Sequence, residues 1–288
     1  MSNEKYSDQK EIVDATYQAS IILDYFNRRL KLEEYRGNVR NLLREINTIA
    51  ISNQFEKMIC KVRYEDLFVF MAEGYVIEAV IMKYFSGSDA YFLTKYYKNE
   101  RRNSDLWMEE EKLLTNIQNK QIEKSLNNTT AFRIRKAVPQ DSTELASLYS
   151  QVFQIYPTPL NNPTYIERTM NDQTIFYVVE DNGKIVSSAS AELNSTFHNA
   201  ELTDCATLPS FRKHGLMKTL LIQLEKELVK NGVYCAYSIA RALSYGMNQC
   251  FFQLGYSYTG RLTNNCYIFD KIEDMNVWVK DLSKEIEV

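Results

Sequence analysis

The sequence predicts a mixed α/β fold: a mostly antiparallel sheet flanked by helices over residues 132–288, a smaller α/β domain over 1–108, and a helical, polar linker over 109–131 between them. Three observations carry this. From Phe132 onward, β-rich segments alternate with segments of helical periodicity. Asn182-Gly183 stands between two β-rich runs, the signature of a tight hairpin. Residues 215–229 place Leu216, Leu220, Leu221, Leu224 and Leu228 on one helical stripe. Residues 109–131, by contrast, are charged and amide-rich with no apolar face, which reads as a short helix running into a linker.

In chain order, FRIRKA (132–137) is a strand. DSTELASLYSQVF (141–153) is a helix with Asp141 or Ser142 as N-cap and Glu144 as the box partner. Asn162-Pro163 opens a short helix through Met170, with proline at its favoured first position. TIFYVVED (174–181) and KIVSSASAEL (184–193) form the hairpin, and AELTDCATL (200–208) alternates as a half-buried strand. After the leucine-striped helix, GVYCAYSIA (232–240) is a strand. SYGMNQCFFQLG (244–255) is a helix closed by Gly255, and YSYTGRL and NNCYIFDKI are the final strands. The first half is legible only from residue 56: a strand over 56–63, a helix over 64–73, Gly74-Tyr75, then strands over 76–85 and 89–97. That order, with Gly-Tyr before paired strands, repeats the end of the second half and predicts a degenerate duplication.

Composition narrows the function. Apolar residues make up 45% and charged residues 25% of the 288, enough to bury a core and incompatible with disorder or a collagen-like repeat. A net charge of −3 argues against a nucleic-acid partner. No apolar run approaches the roughly 18 residues a membrane helix needs, and MSNEKYSDQKE lacks the apolar region of a signal peptide. Five widely spaced cysteines fit reduced thiols and a cytoplasmic protein. Two histidines exclude a His-rich metal centre, so no metal is expected.

One segment carries chemistry. In TLPSFRKHGLMKTLL (207–221) a strand ends, a proline turns the chain, and Arg212-x-x-Gly215-x-Met217 opens the leucine-striped helix. A helix start presents free N–H groups and a positive dipole to an anion, glycine permits close approach, and Arg212, Lys213 and Lys218 add charge. This segment resembles motif A of the GNAT acyltransferase superfamily, Gln/Arg-x-x-Gly-x-Gly/Ala, with Met217 as the departure. YSIARALSYGMNQCFFQLGYSYTGRLTNNC (237–266), EDMNVWVKDL (273–282), FEKMICKVR, EGYVIEA and AYFLTKYY are further similar to the β-lysine N-acetyltransferases of bacteria and archaea, over nearly the whole chain.

The resemblance implies a GNAT-type sheet, acetyl-CoA as co-substrate, and acetyl transfer to the terminal amine of free β-lysine, a small-molecule acceptor whose acetylated form is a compatible solute. It implies that amides from Lys213 through His214, Gly215, Leu216, Met217 and Lys218, with Arg212, hold the pyrophosphate. The backbone of Cys205, Ala206, Thr207 and Leu208 would pair with the pantetheine arm, and Ser244, Asn248 and Phe251 fall on the cofactor side. Glu201 is the positional match to a recurrent general base. Alternation places it on one strand face with Thr203, Cys205 and Thr207, and Asp204 on the other face as a hydrogen-bonded support or a contact to the substrate ammonium. Relatives carry a tyrosine to protonate the leaving thiolate where this chain has Phe251 or Phe252, so Tyr245, Tyr237 or water would substitute.

For the acceptor, Arg241 and Arg261 at strand ends could fork a carboxylate. Asn264 and Asn265 could read an ammonium, and Tyr156 precedes a loop that covers the acceptor in relatives; Arg241 and Asn265 are favoured. Cys205 and Cys250 have apolar flanks and no nearby histidine, which argues against a covalent route. Another diamine, lysine, an aminoglycoside or a protein lysine stays open as acceptor, as does an acyl-CoA sensor without turnover. A homodimer is equally open.

Overall fold

The computed structural model describes residues 6–122, 132–153, 156, 158–268 and 271–285. The N-terminal half runs β1 (Ser7–Val13), β2 (Tyr17–Asp24), β3 (Arg29–Gly37), α1 (Val39–Ser52), β4 (Lys57–Val62), α2 (Leu67–Ala72), β5 (Val76–Phe85) and β6 (Ser88–Tyr96). α3 (Asn99–Arg102) and α4 (Trp107–Gln118) follow. The C-terminal half runs β7 (Arg133–Lys136), α5 (Ser142–Val152), α6 (Pro163–Asn171), β8 (Thr174–Asp181), β9 (Lys184–Asn194) and β10 (Asn199–Thr207). It ends with α7 (Leu216–Lys230), β11 (Cys235–Arg241), α8 (Tyr245–Gln253), β12 (Ser257–Ile268) and β13 (Lys271–Asp281).

All thirteen strands join one sheet, ordered β1-β2-β3-β4-β6-β5-β12-β13-β11-β10-β9-β8-β7. The order β1-β2-β3-β4-β6-β5 reappears as β8-β9-β10-β11-β13-β12. In each half one neighbouring pair is parallel, β3 with β4 and β10 with β11, and the others are antiparallel. The halves meet edge to edge where Gly260 of β12 pairs with Ala79 of β5. A Cβ on Gly260 would sit 2.1 Å from the Glu78 carbonyl oxygen and 2.6 Å from the Ala79 Cα, so only glycine permits this approach.

The C-terminal reading holds in most places. The leucine stripe of α7 is buried at 2% exposure or less and forms one core with the sheet. Asn182 and Gly183 both take positive φ (48° and 78°), which a tight hairpin requires. Asn162 caps α6 by accepting from the Thr164 N–H, with Pro163 first in the helix.

Four expectations change. Asp141 and Glu144 form no capping box for α5: the Asp141 carboxylate is forked by Arg135 and takes the Val138 N–H, while Glu144 accepts from the Ile185 N–H. α4 does have an apolar face, because Leu114 and Ile117 are buried and the helix packs on α8; residues 123–131 of the expected linker lie outside the described residues. The two final strands read from sequence are one strand, β12, whose register shifts between Leu262 and Cys266 with Asn264 at φ 43°. The last strand is β13, which was not read as one. Finally, residues 7–52 hold three strands and a helix. β1 is exposed on both faces and so lacks alternation, but α1 carried readable signals: an Asn38 cap and a stripe of Leu42, Leu43, Ile46 and Ala50.

An apolar core shared by the halves fixes their geometry: Tyr84, Phe85 and Phe92 pack with Phe197, Tyr237 and Leu262. A buried polar seam accompanies it. Lys57 pairs with Glu78 at 2.8 Å and donates to the Thr263 carbonyl at 2.7 Å, and Arg29 and Arg101 both donate to the Asn265 carbonyl. Residues far apart in sequence are thereby brought to one concave cleft of about 1520 Å³.

Candidate active site

The cleft begins where two parallel strands part. β10 and β11 pair only from Asn199 with Cys235 to Glu201 with Tyr237. β10 stays with β9 to Thr207, but its register shifts between Thr203 and Ala206, with Asp204 at φ 51°. Such a bulge bends a strand away from its neighbour. Along 202–207, β10 therefore has no pairing with β11, which leaves a wedge between them. At its end the chain turns through Lys213 (φ 68°) and Gly215 (φ 75°), both left-handed, into the fifteen-residue helix α7. The first amides of α7 have no intrahelical acceptor. Arg212, Lys213, Gly215, Leu216, Met217 and Lys218 all line the cleft. A wedge with free strand edges, a helix N-terminus and basic side chains fit an extended ligand arm ending in a pyrophosphate, so the residues present suit acetyl-CoA.

The opposite end is acidic. Glu201 of β10 and Glu192 of β9 are register partners, so their side chains share a face. Burial, then the neighbouring Glu192, pushes the Glu201 carboxyl up to about 7. Glu192 is also pushed up to about 7, by its enclosure within the protein and then by Asp204; Lys31 and Lys61 oppose this. Its side chain lines the cleft wall. Asp204 is buried and raised to about 6, chiefly by burial, while it accepts from the Ser190 hydroxyl at 2.7 Å and from the Tyr156 hydroxyl. Mid-strand burial of this carboxyl thus comes with the partners that it requires.

The structure gathers most of the sequence-derived residues here. Glu201, Asp204, Cys205, Thr207, Ser244, Tyr245, Phe251, Tyr156, Tyr237, Arg241 and Asn265 all line the cleft. Asp204 does so although alternation set it on the other face, because the bulge breaks the period of two. Ala206 and Leu208 turn into the core instead, and His214 is exposed beside Phe132. Asn248 is a buried hub, not a cleft residue: it donates to the carbonyls of Arg241, Ala242 and Ser244 and accepts from Asn276 and Trp278.

The arginines differ from expectation. Arg241 reaches the cleft wall, but its fork is filled by Glu273 through two 2.7 Å hydrogen bonds. Arg261 is buried under Trp107, bonded to Asn276 at 2.9 Å and paired with Glu110 and Glu111. Asn264 is tied to the backbone carbonyls of Glu100, Arg101 and Asn103. Neither Arg261 nor Asn264 lines the cleft. Tyr245 is exposed at the mouth, where it accepts from the Lys120 ammonium. Phe251 is fully buried against Tyr256.

Sequence reasoning missed Glu192 and a whole wall from the N-terminal half, including Lys31, Glu33, Lys61 and Tyr84. The alternation of Leu30 and Leu32 with Lys31 and Glu33 was the available signal, but alternation names a face without naming what it meets. Among the described residues, no group of three or more His, Cys, Asp or Glu is placed to hold a metal ion, and no helix is long and apolar enough to cross a membrane.

Comparison with known proteins agrees with this geometry. Residues 143–256 match the acetyltransferase (GNAT) family. The chain is 36% identical to the N-acetyltransferase YodP of Bacillus subtilis over 95% of this chain and 99% of that protein. It is 34% identical to the beta-lysine N(6)-acetyltransferase of Methanococcus maripaludis over 94% of this chain and 97% of that protein. With the enzyme of the same name from Methanosarcina mazei the identity is 38%, over 73% of this chain and 85% of that protein.

Proposed function

The chain belongs to the GNAT acetyltransferase family, and from that premise we propose that it transfers acetyl from acetyl-CoA to the terminal amine of β-lysine by direct attack in a ternary complex. The observation that carries the proposal is one cleft joining the β10–β11 wedge and the α7 N-terminus to a carboxyl, Glu201, whose affinity for a proton is matched to neutral pH. Relatives named for β-lysine, matched over 97% and 85% of their length, support the acceptor.

When bound, acetyl-CoA supplies the acyl group as an activated thioester. Glu201 removes the proton that keeps the acceptor amine from attacking. Backbone N–H groups along the unpaired edge of β10 are the donors available to a carbonyl oxygen on which charge develops. Tyr237 lies where β10 and β11 part, and burial, then Glu201, holds its phenol well above 10. It therefore keeps its proton at neutral pH; this phenol, Tyr245 at the mouth or a water returns the proton to the departing thiolate. Cys205 and Cys250 form no acyl-enzyme: burial raises the first thiol well above 9 and the second to about 12, so both stay neutral. All five cysteines are unpaired, in keeping with a cytoplasmic protein, where the product would serve as a compatible solute.

The test is thiol release from acetyl-CoA with β-lysine, α-lysine, putrescine, spermidine, an aminoglycoside and a lysine peptide, the acetyl position being read by NMR. Selective turnover of β-lysine at its terminal amine is the expected result. Turnover of another amine overturns the acceptor, and CoA binding with no turnover overturns the enzyme assignment in favour of a sensor.

A further inference from the structure

The N-terminal half contributes chemistry to this cleft as well as support. On β3, Arg29, Lys31 and Glu33 alternate with buried Leu30 and Leu32, and on β4 Ile59 and Lys61 also face the cleft. Most of these charges are already matched. Arg29 is bonded to Asp24 at 2.7 Å and to the Asn265 carbonyl at 2.8 Å, and Lys61 is paired with Glu33.

Lys31 differs. It is half-buried and lines the cleft, yet among the described residues its ammonium makes no hydrogen bond or ion pair. Its charge is felt at Asp24 and Glu33 on its own side and at Glu192 and Glu201 on the other. A second group is also unmatched: the side-chain oxygen of Asn265, a residue only 3% exposed and lining the same cleft, is buried and accepts no hydrogen bond. Buried acceptors left unpaired are uncommon and costly in native proteins.

The cleft therefore offers an unpaired cation from the N-terminal half, two carboxyls of the C-terminal half that accept no hydrogen bond among the described residues, Glu192 and Glu201, and one buried neutral acceptor. A plain diamine would leave Lys31 facing another cation. A monoamine carboxylic acid would leave one carboxyl and the Asn265 oxygen without a donor. A chain bearing one carboxylate and two amines satisfies all of them.

We propose that the N-terminal half is the specificity element for the acceptor: Lys31 binds the carboxylate of an amino-acid acceptor, and Glu192 with the Asn265 side-chain oxygen binds the ammonium that is not acetylated. This rests on the acetyl-transfer reading of the cleft and extends it, because it assigns recognition to a half of the chain that lacks its own phosphate-binding loop: β3 passes into α1 through Asn38 alone.

The experiment separates the groups chemically. Steady-state acetylation is measured with β-lysine, with 1,4-diaminopentane, which lacks the carboxylate, and with 6-aminohexanoate, which lacks the second amine. Lys31→Met should raise KM for β-lysine and 6-aminohexanoate by about 10- to 100-fold, the range expected for a charge-assisted hydrogen bond. KM for 1,4-diaminopentane should fall, since the repelling charge is gone, and Lys31→Arg should restore most of the affinity for β-lysine. Glu192→Gln should show the complementary pattern, weakening β-lysine and the diamine while sparing 6-aminohexanoate. The affinity for CoA serves as the check that each variant is folded.

If Lys31→Met leaves KM for β-lysine within twofold, or shifts all three acceptors alike, the carboxylate assignment is overturned while the transferase reading stands. If the wild type neither acetylates β-lysine nor binds it by calorimetry, both are overturned together.

Discussion

Replacing Glu201 with glutamine should remove activity and add stability, and the two effects should have different pH dependences. In the folded chain, burial and the cross-strand Glu192 raise the Glu201 carboxyl from an ordinary 4.5 to about 7. The folded state thus binds this proton more tightly than the unfolded state. The resulting stabilisation is fully present below about 4.5 and is lost as pH rises through about 7. At about 1.4 kcal/mol per pH unit, the loss is about 1 kcal/mol at pH 5.5 and about 3 kcal/mol at pH 8.5. Glutamine keeps the shape and does not titrate. Its stability advantage over the wild type should therefore grow by about 2 kcal/mol between those pH values. Relief of Glu192 acts in the same direction.

The catalytic effect is the converse: kcat should fall by about 100- to 10,000-fold on loss of a general base. The wild-type kcat/KM should rise as pH passes through about 7, and that rise should vanish in the variant. Denaturant unfolding at pH 5.5 and 8.5, with rates over the same span, checks both halves. A variant less stable than the wild type at pH 8.5, or a stability difference that does not change with pH, refutes the electrostatic reasoning. Retained activity refutes the base.

Other outcomes follow from single contacts. Gly215→Glu should abolish CoA binding by calorimetry, since it forces a side chain into a left-handed backbone (φ 75°) and brings a negative charge to the anion site; Gly215→Asn, which tolerates that backbone, should lose far less. Gly260→Ala should destabilise the chain by about 3 kcal/mol or more, seen as a lowered Tm, because its Cβ would collide with the backbone of Glu78 and Ala79. Arg241→Lys should cost about 1 kcal/mol in thermal unfolding and move KM similarly for acceptors with and without a carboxylate, because the lost fork belongs to Glu273.

The phosphate loop was legible because its chemistry is local: Arg212, Gly215 and the leucine stripe lie within one stretch whose period and turn residues specify a strand, a turn and a helix start. Asn265 and Tyr156 were found by resemblance and do line the cleft. Arg261, Asn264 and Asn248 resembled site residues for the same reasons of type and position, yet the fold uses them to join strands and helices. A buried arginine or asparagine that ties backbone together has the same sequence appearance as one that binds a ligand. Arg241 was placed correctly and its partner was not, since Glu273 lies on a strand that periodicity alone did not reveal. The bulge at Asp204 was invisible for a related reason: a one-residue insertion in a ladder shows only against its partner strand.

By itself, the sequence determined the α/β class, the order of the C-terminal elements from β7 to α8, the hairpin at Asn182-Gly183 and the anion-binding start of α7, all set by interactions among residues near in the chain. Only the tertiary structure decided that the two halves share one sheet order, that they join through Gly260, and that Lys31 and Glu33 of β3 face Glu192 and Glu201 across a single cleft. The physical reason is that alternation along a strand specifies which side a residue occupies, whereas the partner it meets there depends on strand pairing and packing between segments far apart in sequence.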